Sequence, residues 1–257
     1  MEIYQHFRPE EQPLIDQVLD WKEQVERMHV PVLTDFLDPR EQIVLETIIG
    51  QDESYRLGFE GGYPRAERKR VVLAPFYHEF DPEDYQITVL HGTYPAKFVT
   101  LTHRDVLGSM MSLGIHRKKL GDLIVGDGYF QIICDETLAM YVKLNLTQIK
   151  KSNISLEEVG WDEIRPPKQE WHMKEGTVSS VRLDVVMKEI YHMSRQQAQQ
   201  LIEKEAVKVN HQVVNQPAYL LQPGDLLSVR KKGRSKLTEI MGTTKKDKLR
   251  IKTELLK

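Results

Sequence analysis

The chain has 257 residues, 40% of them hydrophobic and 29% charged, with 36 Lys+Arg, 38 Asp+Glu and one cysteine. That composition is ordinary for a soluble globular protein and allows two domains or three small ones. A lone cysteine excludes an internal disulfide, no apolar run nears the roughly 20 residues of a membrane helix, and MEIYQHFRPEEQ lacks a signal-peptide pattern, so a cytoplasmic protein is expected.

Residues 1–69 read as a helical section. After Pro9 to Pro13, the apolar residues Leu14, Ile15, Val18, Leu19, Trp21, Val25 and Met28 follow a helical period that Pro31 ends. A second helix is expected from Pro39 to Ile49, capped by Asp38 and followed by Gly50. In SYRLGFEGGYPRAERKR, Gly58, Gly61, Gly62 and Pro64 read as breakers, and a domain boundary is placed at 69/70.

From 70 to 165 strands alternate with helices. VVLAPFY and YQITVLHGTY read as strands, THRDVLGSMMSLGI as a helix stopped at Gly114, and DLIVGDGYFQIIC as a hairpin turning at Asp127-Gly128. A helix over about 136–149 and a strand near 154–159 complete a ferredoxin-like or RRM-like α+β domain, a candidate RNA-binding domain without an aromatic-rich RNP run. Cys134, in the apolar run FQIIC, reads as a packed core atom. Residues 166–180 form a linker and strand, opening on Pro166-Pro167.

Charge separates the last section from the rest. Residues 182–257 hold 16 Lys+Arg against 8 Asp+Glu, a balance of +8, whereas residues 1–181 hold 20 against 30. Such polarity separates an anion-binding module from an acidic section suited to a protein partner. After Arg182, the residues Leu183, Val186, Met187, Ile190 and Tyr191 form one apolar helical stripe. A second helix, with Ala198, Leu201 and Ile202, begins at Ser194, and Gln197 completes a capping box. Its unpaired first-turn N–H groups beside Arg195 make a phosphate seat, to which Gln196 and Gln199 add hydrogen bonds. In VKVN, Lys208 and Asn210 share the solvent side, expected near Arg195. The turn RKKGR gathers Arg230, Lys231, Lys232 and Arg234 around Gly233. The tail adds Lys245, Lys246, Lys248, Arg250 and Lys252 in a strand or an arm. Two further clusters, Arg65, Arg68, Lys69 and Arg70, then Arg117, Lys118 and Lys119, are candidates for a secondary RNA surface. Any one cluster is equally a solvated face; their combination favours RNA.

The string RLDVVMKEIYHMSRQQAQQLIEKEAVKVNHQVVNQPAYLLQPGDLLSVRKKGR resembles the S4-type RNA-binding module, or αL motif, of a ribosomal protein, also found in pseudouridine synthases and tyrosyl-tRNA synthetases. HRDVLGSMMSLGIHRKKLGDLIVGDG resembles the YlmH family of bacterial proteins. The resemblance implies an S4-like domain at 181–257 and a factor of the large ribosomal subunit that contacts ribosomal RNA and tRNA in rescue or quality control of stalled translation. It also implies that Arg195, Gln196, Lys208, Asn210, Arg230, Lys232 and Arg234 meet RNA. Where the module often has Gly-x-Val after its second helix, Glu205-Ala206-Val207 stands here. The alternative is a cell-division scaffold whose RNA binding is incidental.

No catalytic residue emerges. HIGH-like and KMSKS-like strings are absent, and the glycines at 58–62 lack the spacing of a nucleotide-binding turn. Asp184 reads as a first-turn helix acid rather than a pseudouridine synthase nucleophile. His103-Arg104-Asp105 lacks the Asn that a kinase loop needs five residues on, Met110 standing there. The nine histidines show no metal-ligand spacing, so neither metal nor cofactor is expected.

Overall fold

Helix α1 (Gln12–Met28) buries Ile15, Val18 and Val25 and ends at His29, whose left-handed backbone (φ 55°) returns an N–H to Val25 O. Leu19 and Met28, counted in the expected stripe, remain exposed. Helix α2 (Pro39–Ile49) forms as read: the Asp38 carboxylate accepts from the Arg40 and Glu41 N–H groups, and Glu41 accepts in return from Asp38 N at 2.7 Å. Described residues are 7, 9–50, 52–167, 170–244 and 247–256, with nothing said of the Glu10 side chain. They fall into two units, 1–167 and 168–257.

The glycine-rich segment is strand through Gly58 to Glu60, while Gly61, Gly62 and Pro64 break it in the turn that follows, as expected. β2 (Tyr55–Glu60) pairs antiparallel with β3 (Arg70–Pro75), which also pairs with β1 (Val32–Leu33), giving the order β1-β3-β2. Gly58 sits in β2 because a Cβ there would collide with the Tyr85 hydroxyl and the Phe80 ring. This sheet runs across the 69/70 boundary, so the first section is a helix-and-sheet layer that takes its central strand from beyond its expected end. Val71 and Leu73 face α1 and α2 in one core with Val18, Val25, Leu45 and Ile49.

The next elements are β4 (Ile87–Thr93), α3 (His103–Ser112), β5 (Leu120–Gly126), β6 (Tyr129–Asp135), α4 (Ala139–Asn145) and β9 (Ser155–Val159), with a two-residue-strand hairpin, β7 (Gln148–Ile149) and β8 (Ser152–Asn153), before β9. The order β5-β6-β4-β9, with every neighbour antiparallel, is the ferredoxin-like arrangement expected from the sequence. The hairpin turns at Asp127-Gly128, with Gly128 at φ 79°. The helix expected to reach 149 stops at Asn145, because Gln148 and Ile149 pair with Asn153 and Ser152.

Both faces of this four-stranded sheet are covered. On one, Leu90, Phe130, Ile132 and Cys134 share a core with Val106 and Met110 of α3 and Val142 of α4. Burial pushes the Cys134 thiol up to about 12, which leaves it protonated and inert. On the other, Val89, Ile124 and Ile133 pack with Phe36, Val72 and Ala74 of the N-terminal layer. RRM domains present that second face to single-stranded RNA. Here it is interior.

In the second unit, α5 (Leu183–Tyr191) and α6 (Arg195–Glu203) lie with β10 (Trp171–Val178), β11 (Val207–Val209), β12 (Gln212–Val213), β13 (Leu226–Val229), β14 (Gly233–Thr243) and β15 (Leu249–Leu256), in the sheet order β10-β15-β14-β13-β11-β12. The apolar stripe of α5 packs on Ala198 and Ile202 of α6 and on Val207, Leu227, Leu237 and Ile251 of the sheet. The basic tail is strand for Arg250 and Lys252, while Lys245 and Lys246 lie outside the described residues. Glu205 takes the left-handed conformation (φ 54°) in which the module often has glycine. Around it Ala206 N donates to Leu201 O and Glu205 N to Ile202 O, a Schellman ending of α6.

Candidate nucleic-acid interface

The two helices of the second unit meet at a carboxylate. Asp184, in the first turn of α5, is 0% exposed, and its oxygens accept from Arg182 Nε (3.1 Å) and Nη2 (3.2 Å), Arg195 Nε (2.9 Å) and Gln199 Nε2 (3.0 Å). Burial alone would push this carboxyl up. The three donors overcome it and hold the group at about 2, so Asp184 is an anion at every physiological pH. Two guanidiniums against one carboxylate leave a net positive site. The Arg195 side chain stays 52% exposed while its Nε is held, so its guanidinium is anchored at one nitrogen and still open to solvent. Ser194 caps α6, accepting from Gln197 N at 3.1 Å, and Gln197 Oε1 accepts from Ser194 N at 3.0 Å. Gln196 is exposed on the same first turn.

Sequence reasoning had Arg195 and Gln199 at one phosphate seat and Asp184 as a first-turn helix acid, which it is, but not as the buried acceptor that joins both arginines. The signal was available: Asp184 stands next to Met187 at the edge of the apolar stripe, between two arginines in the sequence.

A second basic surface lies on the sheet. Lys208, Arg230, Lys231 and Arg234 line one open depression of about 450 Å³, together with Glu205 and Ser228. The turn Arg230–Lys232 joins β13 to β14, with Lys231 (φ 65°) and Gly233 (φ 91°) both left-handed, and Arg230 N donates to Ala206 O. Lys232 turns elsewhere, lining a depression with Gln197, Gln200, Leu201 and Lys204. Those α6 residues occupy the flank of the helix away from Arg195 and Gln199. The basic residues thus group as an Arg182–Arg195 pair around Asp184 where α5 and α6 begin, and as the Lys208–Arg230–Arg234 depression on the sheet.

Asn210, expected at the RNA-contacting side, has a structural role of its own. It and His211 form a two-residue hairpin turn with positive φ at both (48° and 68°). The Asn210 side chain donates to Asp225 Oδ1 at 2.8 Å and accepts from Leu226 N at 2.9 Å, pinning the β11 hairpin to β13.

The candidate secondary surface is largely internal bonding of the first unit. Arg70 is buried: its Nη2 lies 3.5 Å from Asp135, and it donates to Thr34 O and Gln86 O, so it is removed from any RNA surface. Arg68 donates to Phe36 O and Leu120 O, and Arg117 to Leu120 O and Gly121 O. Burial and the neighbouring Arg68 charge lower Arg117 to about 10. Lys119 pairs with Asp35 and Asp135, and the backbone of Lys69 pairs with Leu37. Arg65 and Lys118 alone of the seven are fully at the surface. The two clusters do meet in space, as expected of one surface, but they do so to fasten the N-terminal layer to the four-stranded sheet.

Among the described residues no group of three or more His, Cys, Asp or Glu is arranged to hold a metal, and no helix is long and apolar enough to cross a membrane.

Three family models cover most of the chain: "YlmH, N-terminal" matches residues 10–78, "Putative RNA-binding domain in YlmH" matches 81–163, and the S4 domain matches 181–227. The chain is 42% identical over 253 residues to the Ribosome-associated protein quality control protein P2 of Bacillus subtilis, covering 98% of each chain. Over 57 residues it is 46% identical to the small ribosomal subunit protein uS4 of Leptothrix cholodnii, covering 22% of this chain and 28% of that protein. A solved structure of the cell division protein ylmH from Streptococcus pneumoniae aligns with TM-score 0.54 and 32% identity, over 62% of this chain and 97% of that one. The three-part match in order, and the near full-length identity, place this chain in the YlmH family.

Proposed function

We propose that this chain is a non-enzymatic RNA-binding factor that associates with the large ribosomal subunit, contacting ribosomal RNA and tRNA, in rescue or quality control of stalled translation. The observation that carries the reading is the Arg182–Asp184–Arg195 arrangement: a buried anion holds the half-buried Arg182 guanidinium and the exposed Arg195 guanidinium in a preset geometry where α5 and α6 begin. Preset forks suit phosphate oxygens, because little side-chain entropy remains to be lost on binding. The Lys208, Arg230, Lys231 and Arg234 depression would take further phosphates of the same strand or of a neighbouring one. The relative's name, with its reference to ribosome-associated quality control, supports the cellular setting.

The mechanism is grip without chemistry. Phosphate contacts would fix register and orientation, and the salt dependence of affinity would report their number. The test is sedimentation of the full chain with ribosomal particles. The wild type is expected to travel with large subunits at low salt and to leave them at high salt, while the double variant Arg182→Ala, Arg195→Ala stays at the top of the gradient. Co-migration of that variant at wild-type salt would remove the assignment.

A further inference from the structure

The first unit carries a groove that the RNA reading does not use. It is about 420 Å³, bounded by Lys22, Glu26 and His29 at the end of α1, by Asp52 and Tyr55 where β2 begins, and by Phe76 and Tyr77 past the end of β3. Phe76 and Tyr77 are 63% and 60% exposed, and their rings meet edge to face at 5.3 Å. Two adjacent aromatic side chains left in water beside a cavity are an unpartnered binding surface. The groove already holds one cation. Lys22 Nζ sits 2.7 Å from Asp52 Oδ2 and 5.1 Å from the centre of the Tyr55 ring, an ammonium between a carboxylate and a π face. Glu26 and the Phe76–Tyr77 pair repeat that chemistry along the same groove, with a carboxylate and ring faces. The two acids against Lys22 leave the lining negative, and Glu23 and Glu53 flank it in the sequence.

We propose that this groove docks a basic, extended segment of a protein partner, one of whose Arg or Lys side chains lies over Phe76 or Tyr77 and pairs with Glu26. A cation over an aromatic face gains more as it is desolvated, and the ring of Tyr77 supplies apolar contact for the aliphatic stem. Charge complementarity selects against RNA here, because phosphates would meet Glu26 and Asp52. The proposal concerns the first unit alone and does not depend on the arginine fork of the second.

The test places a photo-crosslinking residue in the groove, Tyr77→p-benzoylphenylalanine, in the full chain expressed in Bacillus subtilis, the organism of the 42% identical relative. Crosslinked peptides are sequenced by mass spectrometry, with and without Glu26→Gln. The expected result is crosslinks to Lys- or Arg-rich segments of another protein, reduced at least about five-fold by Glu26→Gln and unchanged by Glu23→Gln, which removes the same charge from the same helix outside the groove lining. Equal loss with both variants would show unspecific attraction and overturn the proposal. So would crosslinks to a second copy of this chain, to RNA or to segments without basic residues, or no crosslink at all. The sedimentation behaviour of the same protein, read in parallel, reports on the RNA function, so either reading can fail while the other stands.

Discussion

Arg195 donates its Nε–H to Asp184 Oδ2 at 2.9 Å, and through that bond the first residue of α6 is tied to the first turn of α5. An acid inside a module built to attract an anion acts against the long-range field and in favour of local order. The two effects have opposite signs on binding, which makes them separable. Asp184→Asn removes one negative charge, so electrostatics alone would tighten RNA binding. If positioning dominates, affinity falls by about ten-fold, on the order of one lost charge-assisted hydrogen bond. Filter binding to ribosomal RNA, at a temperature where circular dichroism shows the variant folded, decides between them.

The same carboxyl sets a pH dependence. Its folded value of about 2 lies below the ordinary 3.8, so its contribution to stability is complete above about pH 4 and is lost as pH falls through 2. The shift corresponds to about 2 kcal/mol. The stability difference between wild type and Asp184→Asn is expected to be constant from pH 8 to pH 5 and to shrink by that amount towards pH 2. Calorimetry of both proteins across this range checks it; a gap that stays constant to pH 2 would contradict the assignment.

Contact residues and structural residues differ in their salt signature. Lys208→Ala or Arg230→Ala should weaken RNA binding and lower the log–log salt slope by about 0.7–0.9 each. Asn210→Ala should leave the slope unchanged and lower stability by about 1–2 kcal/mol, through the lost bonds to Asp225 and Leu226 N and an alanine forced to φ 48°.

Glu205 occupies the left-handed position at the end of α6 without the freedom of glycine. Glu205→Gly should stabilise the second unit by about 1 kcal/mol, raising its melting temperature by roughly 4–8 °C. No gain would mean that the strain is relieved by contacts Glu205 itself makes.

Arg70 and Asp135 are both about 5% exposed in the first unit. Arg70→Ala leaves Asp135 with Lys119 and the N–H and hydroxyl of Thr137, one cation short, and should destabilise that unit by about 3 kcal/mol. Its effect on RNA affinity, measured below the melting transition, should be nil. A salt slope reduced by Arg70→Ala would restore it to the RNA surface.

Local rules were enough wherever neighbours in sequence are neighbours in space. The Asp38 cap, Ser194 with Gln197 and the turn at Asp127-Gly128 were legible because caps and tight turns are closed within four residues. The strand and helix order of the four-stranded sheet followed from hydrophobic period. Gly58 was misread because glycine has two uses, breaking a strand and letting a neighbour approach, and only Tyr85 and Phe80 reveal the second.

The sequence by itself thus determined the ferredoxin-like α+β pattern, the concentration of cations after Arg182 and the Arg195 end of α6, since each is written in periodicity, charge and capping chemistry, while the αL module was legible as a resemblance to a known family. Only the tertiary structure decided which cations face water. Arg70, Arg68 and Arg117 look no different in a string from Lys208 and Arg230, yet the first three satisfy backbone carbonyls, Arg70 and Arg68 those of distant segments and Arg70 a buried acid as well, while the other two line an open depression. A guanidinium in an interior must find partners or pay its full desolvation penalty, and those partners are chosen by packing between segments far apart in the chain.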